Sequence, residues 1–258
     1  MKSLEEFTGD PKIRFILTDI DDTLTSHGKL GLGAYGALWD LWDQGFHVVP
    51  ITGRPAGWCE MIARFWPVDG VVGENGAFYF RYIEGKMKRH FSQDEDERIL
   101  NRDRLGNIQE EVLRSVPGAA VASDQFCRIA DLAIDFCEDV AALSKDEIQK
   151  IVSIFRDHGA QAKISSIHVN GWFGKHNKIT MTKKFLHDEF GLSEAEIKEQ
   201  CVFVGDSPND EPMFEYFPLS FAVSNIRDFE SELQFLPTFV SAGEGGAGFA
   251  EIVKRFVS

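Results

Sequence analysis

Cysteine is scarce and unpatterned in this chain: four residues in 258, at positions 59, 127, 137 and 201, with no Cys-x-x-Cys spacing. Without that spacing a metal or disulfide framework is not expected, and the apolar runs around Cys59, Cys127, Cys137 and Cys201 predict buried, reduced thiols. Basic charge is also in short supply. Lys and Arg total 27 against 41 Asp and Glu, a net charge of −14, whereas a nucleic-acid backbone demands clustered Lys and Arg. The excess carboxylates read as a solvated acidic surface. No stretch approaches the length of a membrane span. The opening segment, MKSLEEFTGDPK, has no apolar signal region. Internal repeats and low-complexity tracts are lacking as well. The expectation is a soluble cytoplasmic protein, monomer or homodimer, that binds neither nucleic acid nor membrane.

What is present suffices for a real core: 43% of residues are hydrophobic and 26% charged. The run at residues 13–17 is short, rich in apolar residues and unalternating, as suits a strand buried on both faces. A similar run at 46–51 follows a helical pattern that sets Leu38, Leu41 and Trp42 on one face and stops at Gly45. A third run, 201–204, follows a helical stretch at 179–190. Strands alternating with helices predict an α/β fold, a parallel sheet wrapped by helices.

The middle of the chain reads differently. Residues 77–83 and 86–91 flank Glu84-Gly85 as a hairpin. Capping boxes at Ser92/Glu95 and Ser144/Glu147 predict two helix starts. The first helix carries Leu105, Ile108, Val112 and Val116, and the second stops at Gly159. Residues 128–137 and 161–169 alternate as strands. The predicted organisation is a core of residues 1–84 and 177–258 interrupted by a small α/β layer at 85–176.

All three buried strands end in polar residues: Asp19-Ile20-Asp21, Thr52-Gly53-Arg54 and Gly205-Asp206-Ser207. Parallel neighbours would bring these ends into one crevice, where ligands of such sheets bind. A carboxylate serves as nucleophile in aspartyl-phosphate chemistry, which suits Asp19, and Asp21 is placed to act as general acid and base. A carboxylate attacking an anionic phosphate needs its repulsion neutralised. Mg²⁺ does this with hard oxygen ligands, and Asp206, with Asn209 and Asp210 behind it, supplies them. Thr52 has a hydroxyl to donate to a phosphoryl oxygen, Lys178 an ammonium to neutralise it, and Arg54 stands beside both the strand end and Thr52. In the inserted layer, Arg128 and the polar-aromatic series Ser165, Ser166, His168, Asn170 and Trp172 are candidates to touch the organic part of a substrate, or else simply line a strand face.

The segment 15–25, Ile51-Thr52-Gly53-Arg54-Pro55, Lys178 and Gly205-Asp206-Ser207-Pro208-Asn209-Asp210 together resemble the four ordered motifs of the haloacid dehalogenase superfamily. Gly73-Glu74-Asn75-Gly76-Ala77, Ala222-Val223-Ser224-Asn225 and Glu244-Gly245-Gly246-Ala247 resemble its Cof-type branch, which includes sugar phosphatases and carries an α/β cap. The resemblance implies a Rossmann-like core and a Mg²⁺-dependent phosphatase of a small phosphorylated metabolite, a sugar or sugar-acid phosphate. It implies Asp19 as nucleophile, Asp21 as acid/base, Thr52 and Lys178 as phosphate contacts, and Gly53, Arg54, Asn75, His168 and Trp172 on the substrate side. Mg²⁺ would be held by Asp19, the Asp21 carbonyl and Asp206, supported by Asn209 and Asp210. Many relatives have Lys-Gly at the third motif where this chain has Lys178-Ile179, so Lys175 is a rival for that role. A phosphotransferase or mutase and a non-catalytic ligand-binding relative are the alternative functions; a dehalogenase has no need of the acid at Asp21.

Overall fold

The computed structural model describes residues 1–165 and 167–257. Its central sheet has six strands, all parallel, in the order Lys2–Ser3, Phe239–Val240, Ser220–Ala222, Cys201–Gly205, Phe15–Thr18 and His47–Pro50. Every residue of Phe15–Thr18 and Cys201–Gly205 is buried, the two-sided burial that an unalternating run anticipates. The period of two then divides these side chains between the two faces. Ile16, Val48, Val202 and Val204 pack under the helices Leu32–Asp43 and Gly245–Val257. Phe15, Leu17, Val49 and Phe203 pack against Lys178–Phe190 and Glu211–Tyr216 on the other side.

Beyond His47–Pro50, an isolated parallel bridge between Ile51 and Val72 leads into an antiparallel sheet of Val71–Gly73, Phe78–Ile83 and Lys86–Phe91. The hairpin turn is at Glu84 and Gly85, both in the left-handed region, the conformation a two-residue hairpin turn needs. The strand Lys86–Phe91 therefore pairs with Phe78–Ile83, and Met87 and Phe91 pack on the main core.

The inserted layer has its own apolar cluster, in which Leu105, Ile108 and Val112 from the helix Glu95–Ser115 meet Ile151 and Phe155 from Lys145–Asp157. Both helices cover an antiparallel sheet in the order Gln161–Ile164, His168–Trp172, Asp131–Asp135 and Ala120–Val121. The Ser144/Glu147 capping box is present. The one expected at Ser92/Glu95 is not: Asp94 caps that helix by accepting from Glu97 N at 2.8 Å. Ser92 N–H is committed to the Ala77 carbonyl at the hairpin's end, so it is not there for a Glu95 side chain to accept from. Residues 161–169 are not one strand but a hairpin, in which Gln161 faces Trp172 and Ile164 faces Val169. Trp42 is 44% exposed rather than sharing the buried face of Leu38 and Leu41. All four cysteines are free thiols, but only Cys59 and Cys201 are fully buried; Cys127 and Cys137 are half-buried. No described helix is long and apolar enough to cross a membrane.

Candidate active site

Because Phe15–Thr18 lies between Cys201–Gly205 and His47–Pro50 in parallel, the residues following all three open on the same edge of the sheet. Asp19 leaves the first strand with its N–H held by the Val204 carbonyl at 2.9 Å. The loop behind it is drawn tight by the Ile20 carbonyl, which accepts from the backbone N–H of Thr23, Leu24 and Thr25 and from the Thr25 hydroxyl. Thr23 crosses to the next strand end and donates its hydroxyl to Asp206 Oδ1 at 3.3 Å.

Lys178 is the first residue of its helix, which Asn177 and Thr180 cap reciprocally. Its ammonium is buried and donates to Asp19 Oδ1 at 2.8 Å, to Asp210 Oδ1 at 2.8 Å and to Asn209 Oδ1 at 3.3 Å. Burial works against the charge on Lys178, but Asp19 and Asp210 outweigh it and raise its pKa. Lys175 is exposed and makes none of these contacts, so the geometry brings Lys178, not Lys175, to Asp19. Two glycines make the approach possible. A Cβ on Gly76, which sits at φ +98°, would collide with the Asn177 carbonyl beneath Lys178; one on Gly205 would collide with Asp210 Oδ2.

One oxygen from each of Asp19, Asp206 and Asp210 lies within 4.8 Å of the others. Burial, opposed by Lys178 and reinforced by Asp210 and Asp21, pushes the Asp19 carboxyl up to about 7. Burial and the charges of Asp210, Asp19 and Asp22 push Asp206 well above the carboxylate range. Buried carboxylates this close repel one another, and a divalent cation removes the repulsion. The donor set is hard oxygen, as Mg²⁺ prefers. Asp210 is already occupied by Lys178 through Oδ1 and by Asp206 N–H through Oδ2. The Asp21 carbonyl accepts no hydrogen bond from a described residue. The residues thus fit a metal held by Asp19, Asp206 and the Asp21 carbonyl, with Asp210 and Asn209 orienting Lys178.

The side chain of Asp21 turns to Arg54, whose Nε lies 3.0 Å from both carboxylate oxygens and whose terminal nitrogen lies 2.8 Å from Oδ1. Arg54 stacks on Trp58 and reaches Asp124 at 3.7 Å and Glu138 at 3.6 Å in the inserted layer. Thr52 is fully buried and accepts from Arg54 N–H at 3.0 Å; Gly53, not Thr52, reaches the cavity wall. Arg128 comes down from the inserted layer to donate to the Gly53 carbonyl at 3.0 Å, while Asp124 and Asp131 neutralise it. Asn170 donates to Asp131 at 3.1 Å. His168 Nε2 lies 2.9 Å from Glu138, without the alignment of a hydrogen bond. The strand positions 168 and 170 therefore do face the acidic centre. Together Asp19, Asp21, Arg54, Lys178, His168 and Asn170 enclose a cavity of about 30 Å³, room for one water. Asn75, at φ +54°, lines it with an amide nitrogen that has no partner among the described residues. Trp172 does not line it; it faces an adjoining cavity. Ser166 lies outside the described residues.

Several residues here were given no role by the sequence. Lys163 lines the cavity, as does Ser207 of the fourth motif, and Asp124, Asp131 and Glu138 hold the two arginines. The fully buried Glu74, present in a motif but assigned nothing there, is the largest omission. Its carboxylate accepts from the backbone N–H of Ala56 (3.0 Å), Ile129 (2.9 Å), Ala130 (2.6 Å) and Asp131 (3.2 Å). It thereby caps the helix Ala56–Phe65, whose own N-cap is Pro55 with no side-chain bond, and ties that helix to the inserted layer.

No family model matches the chain. A phosphoglycolate phosphatase from Methanobrevibacter smithii is 23% identical over 256 residues, covering 94% of this chain and 97% of that protein. A solved structure from Thermoplasma acidophilum superposes with a TM-score of 0.72 at 21% identity, covering 95% and 98% of the two chains. A haloacid dehalogenase-like hydrolase from Bacteroides thetaiotaomicron superposes with a TM-score of 0.66 at 14% identity, covering 94% and 99% of the two chains. The chain has the haloacid dehalogenase fold. In that fold the edge bearing Asp19, Thr52 and Asp206 is the one closed over here by the inserted layer.

One consequence of the packing concerns His176, 8% exposed. Burial pulls its pKa from 6.5 down to about 4. A folded pKa below the unfolded one means that the neutral ring's contribution is complete above about 6.5 and is lost as pH falls from there towards 4. The variant His176→Phe is therefore expected to gain on the wild type by up to about 2 kcal/mol between pH 7.5 and 4.5. Urea midpoints at the two pH values read the difference. An unchanged difference would show that this ring protonates freely in the folded protein.

Proposed function

We propose that this chain is a Mg²⁺-dependent phosphatase of a small phosphorylated metabolite, working through a phosphorylated Asp19, with residues 85–176 as its cap. The observation that carries the reading is the buried Lys178 ammonium bonded at once to Asp19 and Asp210, beside a third carboxylate at the next strand end. A solvated lysine would not be placed there; a lysine that must neutralise both a nucleophile and an incoming phosphoryl group would. The name of the relative from Methanobrevibacter smithii supports the same chemistry.

In the first step a carboxylate oxygen of Asp19 attacks phosphorus and the ester P–O bond breaks. Asp21 gives its proton to the departing oxygen. In the second step Asp21 takes a proton from water, the water oxygen attacks phosphorus, and the bond to Asp19 breaks with release of phosphate. Lys178 stays on the charge that develops between Asp19 and the phosphoryl oxygens, and Asn75 has an unused N–H to give. Arg54 holds Asp21 in place until an anionic substrate competes for the guanidinium. When bound, Mg²⁺ supplies a positive charge and oxygen coordination to the same phosphoryl group.

The test is phosphate release from a panel of phosphorylated metabolites with and without metal. Activity is expected to require Mg²⁺ and to vanish on exhaustive chelation. Asp206→Ala should weaken Mg²⁺ binding roughly tenfold or more with little loss of folding stability. Full turnover by chelated protein would remove the metal from the account.

A further inference from the structure

Two neighbouring helices leave an apolar face uncovered. Leu32–Asp43 turns Ala34, Ala37, Leu38 and Leu41 into the core, and Ala56–Phe65 turns in Ala56, Cys59, Ile62 and Ala63. The outward side of such helices is ordinarily polar. Here it carries Leu32 at 89% exposed, Trp39 and Trp42 at 44%, Met61 at 41% and Phe65 at 72%. Tyr35 joins the two helices into one face. Its hydroxyl donates to the Phe65 carbonyl at 3.2 Å, and its ring meets those of Trp39 and Trp66 edge-on. Three of the chain's five tryptophans thus gather here, and Trp is a residue type enriched where proteins meet.

The area matches what a stable dimer needs. At these exposures the three outward aromatic side chains present roughly 250–400 Å², and Leu32 and Met61 bring the apolar surface to about 500 Å². One side of a standard interface is about 800 Å² and about 60% apolar, so this face supplies the apolar share of one partner.

The charges around the face suit a second copy of the same chain. Asp40 and Asp43 stand further round the first helix than Tyr35, exposed and without an ion pair among the described residues. On the far side of the second helix, Arg64 and Arg89 share the single carboxylate of Glu60, at 3.1 and 2.7 Å, which leaves positive charge in excess. A two-fold axis through the face lays the acidic rim of one copy on the basic rim of the other. A lipid surface would want Lys and Arg around the apolar groups, where the first helix has Asp40 and Asp43.

We propose that this face is a dimer interface, in which two copies meet about a two-fold axis near Tyr35, the helix Leu32–Asp43 of each against the helix Ala56–Phe65 of the other. None of its residues lines the catalytic cavity, so the pairing stands apart from the chemistry at Asp19.

The test is sedimentation equilibrium on the full chain. Wild type is expected to show twice the mass of one chain at about 10 μM, with a dissociation constant in the micromolar range or below. Phe65→Glu should weaken the pair at least about thirtyfold. Asp40→Lys/Asp43→Lys, which gives both rims one sign, should weaken it at least about tenfold at low salt. Thermal melts matching wild type establish that the variants fold, and Met61→Glu reads the same contact if Phe65→Glu melts early. A wild-type monomer at that concentration overturns the proposal. So does a dimer that either variant leaves intact, because its copies then meet elsewhere.

Discussion

Asp19→Asn is expected to yield a folded protein that has lost roughly 10³-fold or more of its phosphate release from every ester tested. The amide keeps the shape of the side chain but cannot attack phosphorus as a carboxylate does. Folding should survive for two reasons. Lys178 retains its 2.8 Å bond to Asp210 and its contact with Asn209. The substitution also removes one member of a buried acidic cluster, in which burial, reinforced by Asp210 and Asp21, already pushes Asp19 up to about 7. The measurement is a pair: steady-state phosphate release and a thermal melt on the same preparation. A well-folded variant with substantial turnover would rule out Asp19 as the nucleophile.

The second large effect is expected away from the chemistry. Glu74→Ala should cost about 3–5 kcal/mol of stability. Removing the carboxylate strands the backbone N–H groups of Ala56, Ile129, Ala130 and Asp131 in a buried place. Each orphaned donor carries a penalty of about 1–3 kcal/mol, and the four are not additive because they share one acceptor. Burial and the charge of Asp131, opposed by Arg128 and the N–H donors, push the Glu74 carboxyl up to about 8, and losing its oxygens removes the acceptor of all four donors. Because three of the donors belong to the inserted layer, amide exchange at residues 129–131 should accelerate in the variant more than exchange in Cys201–Gly205. A loss below about 1 kcal/mol, or exchange unchanged at 129–131, would mean that other contacts hold the layer against the core.

These two residues also mark where the sequence was legible and where it was not. Asp19 could be placed because the strand before it is buried on both faces, which writes an apolar run into the chain and makes the first polar residue after it conspicuous. The same holds for Asp206 and for the segment from Thr52 to Arg54. Lys178 could be separated from Lys175 only in three dimensions: the former opens a helix and its ammonium reaches Asp19, the latter lies in the connection before it. Glu74 was unreadable in physical terms. Its partners are backbone N–H groups, three of the four more than 50 positions away, and backbone donors leave no mark in residue types. The alternation of His168, Asn170 and Trp172 correctly put three side chains on one face of a strand. It did not show that the face is divided between two cavities, so that Trp172 meets His176 rather than Asp19. The Ser92/Glu95 box failed for a local reason, since the hairpin ladder had already claimed Ser92 N–H.

The account depends above all on a covalent phosphate on Asp19, and that can be observed. Wild-type protein is mixed with ³²P-labelled p-nitrophenyl phosphate and Mg²⁺, quenched in acid during turnover, and digested. The expected result is label on the peptide containing Asp19, released by hydroxylamine as an acyl phosphate should be, and absent from Asp19→Asn. Rapid phosphate release with no acid-stable label on that peptide, or the same label on the Asn variant, would contradict it.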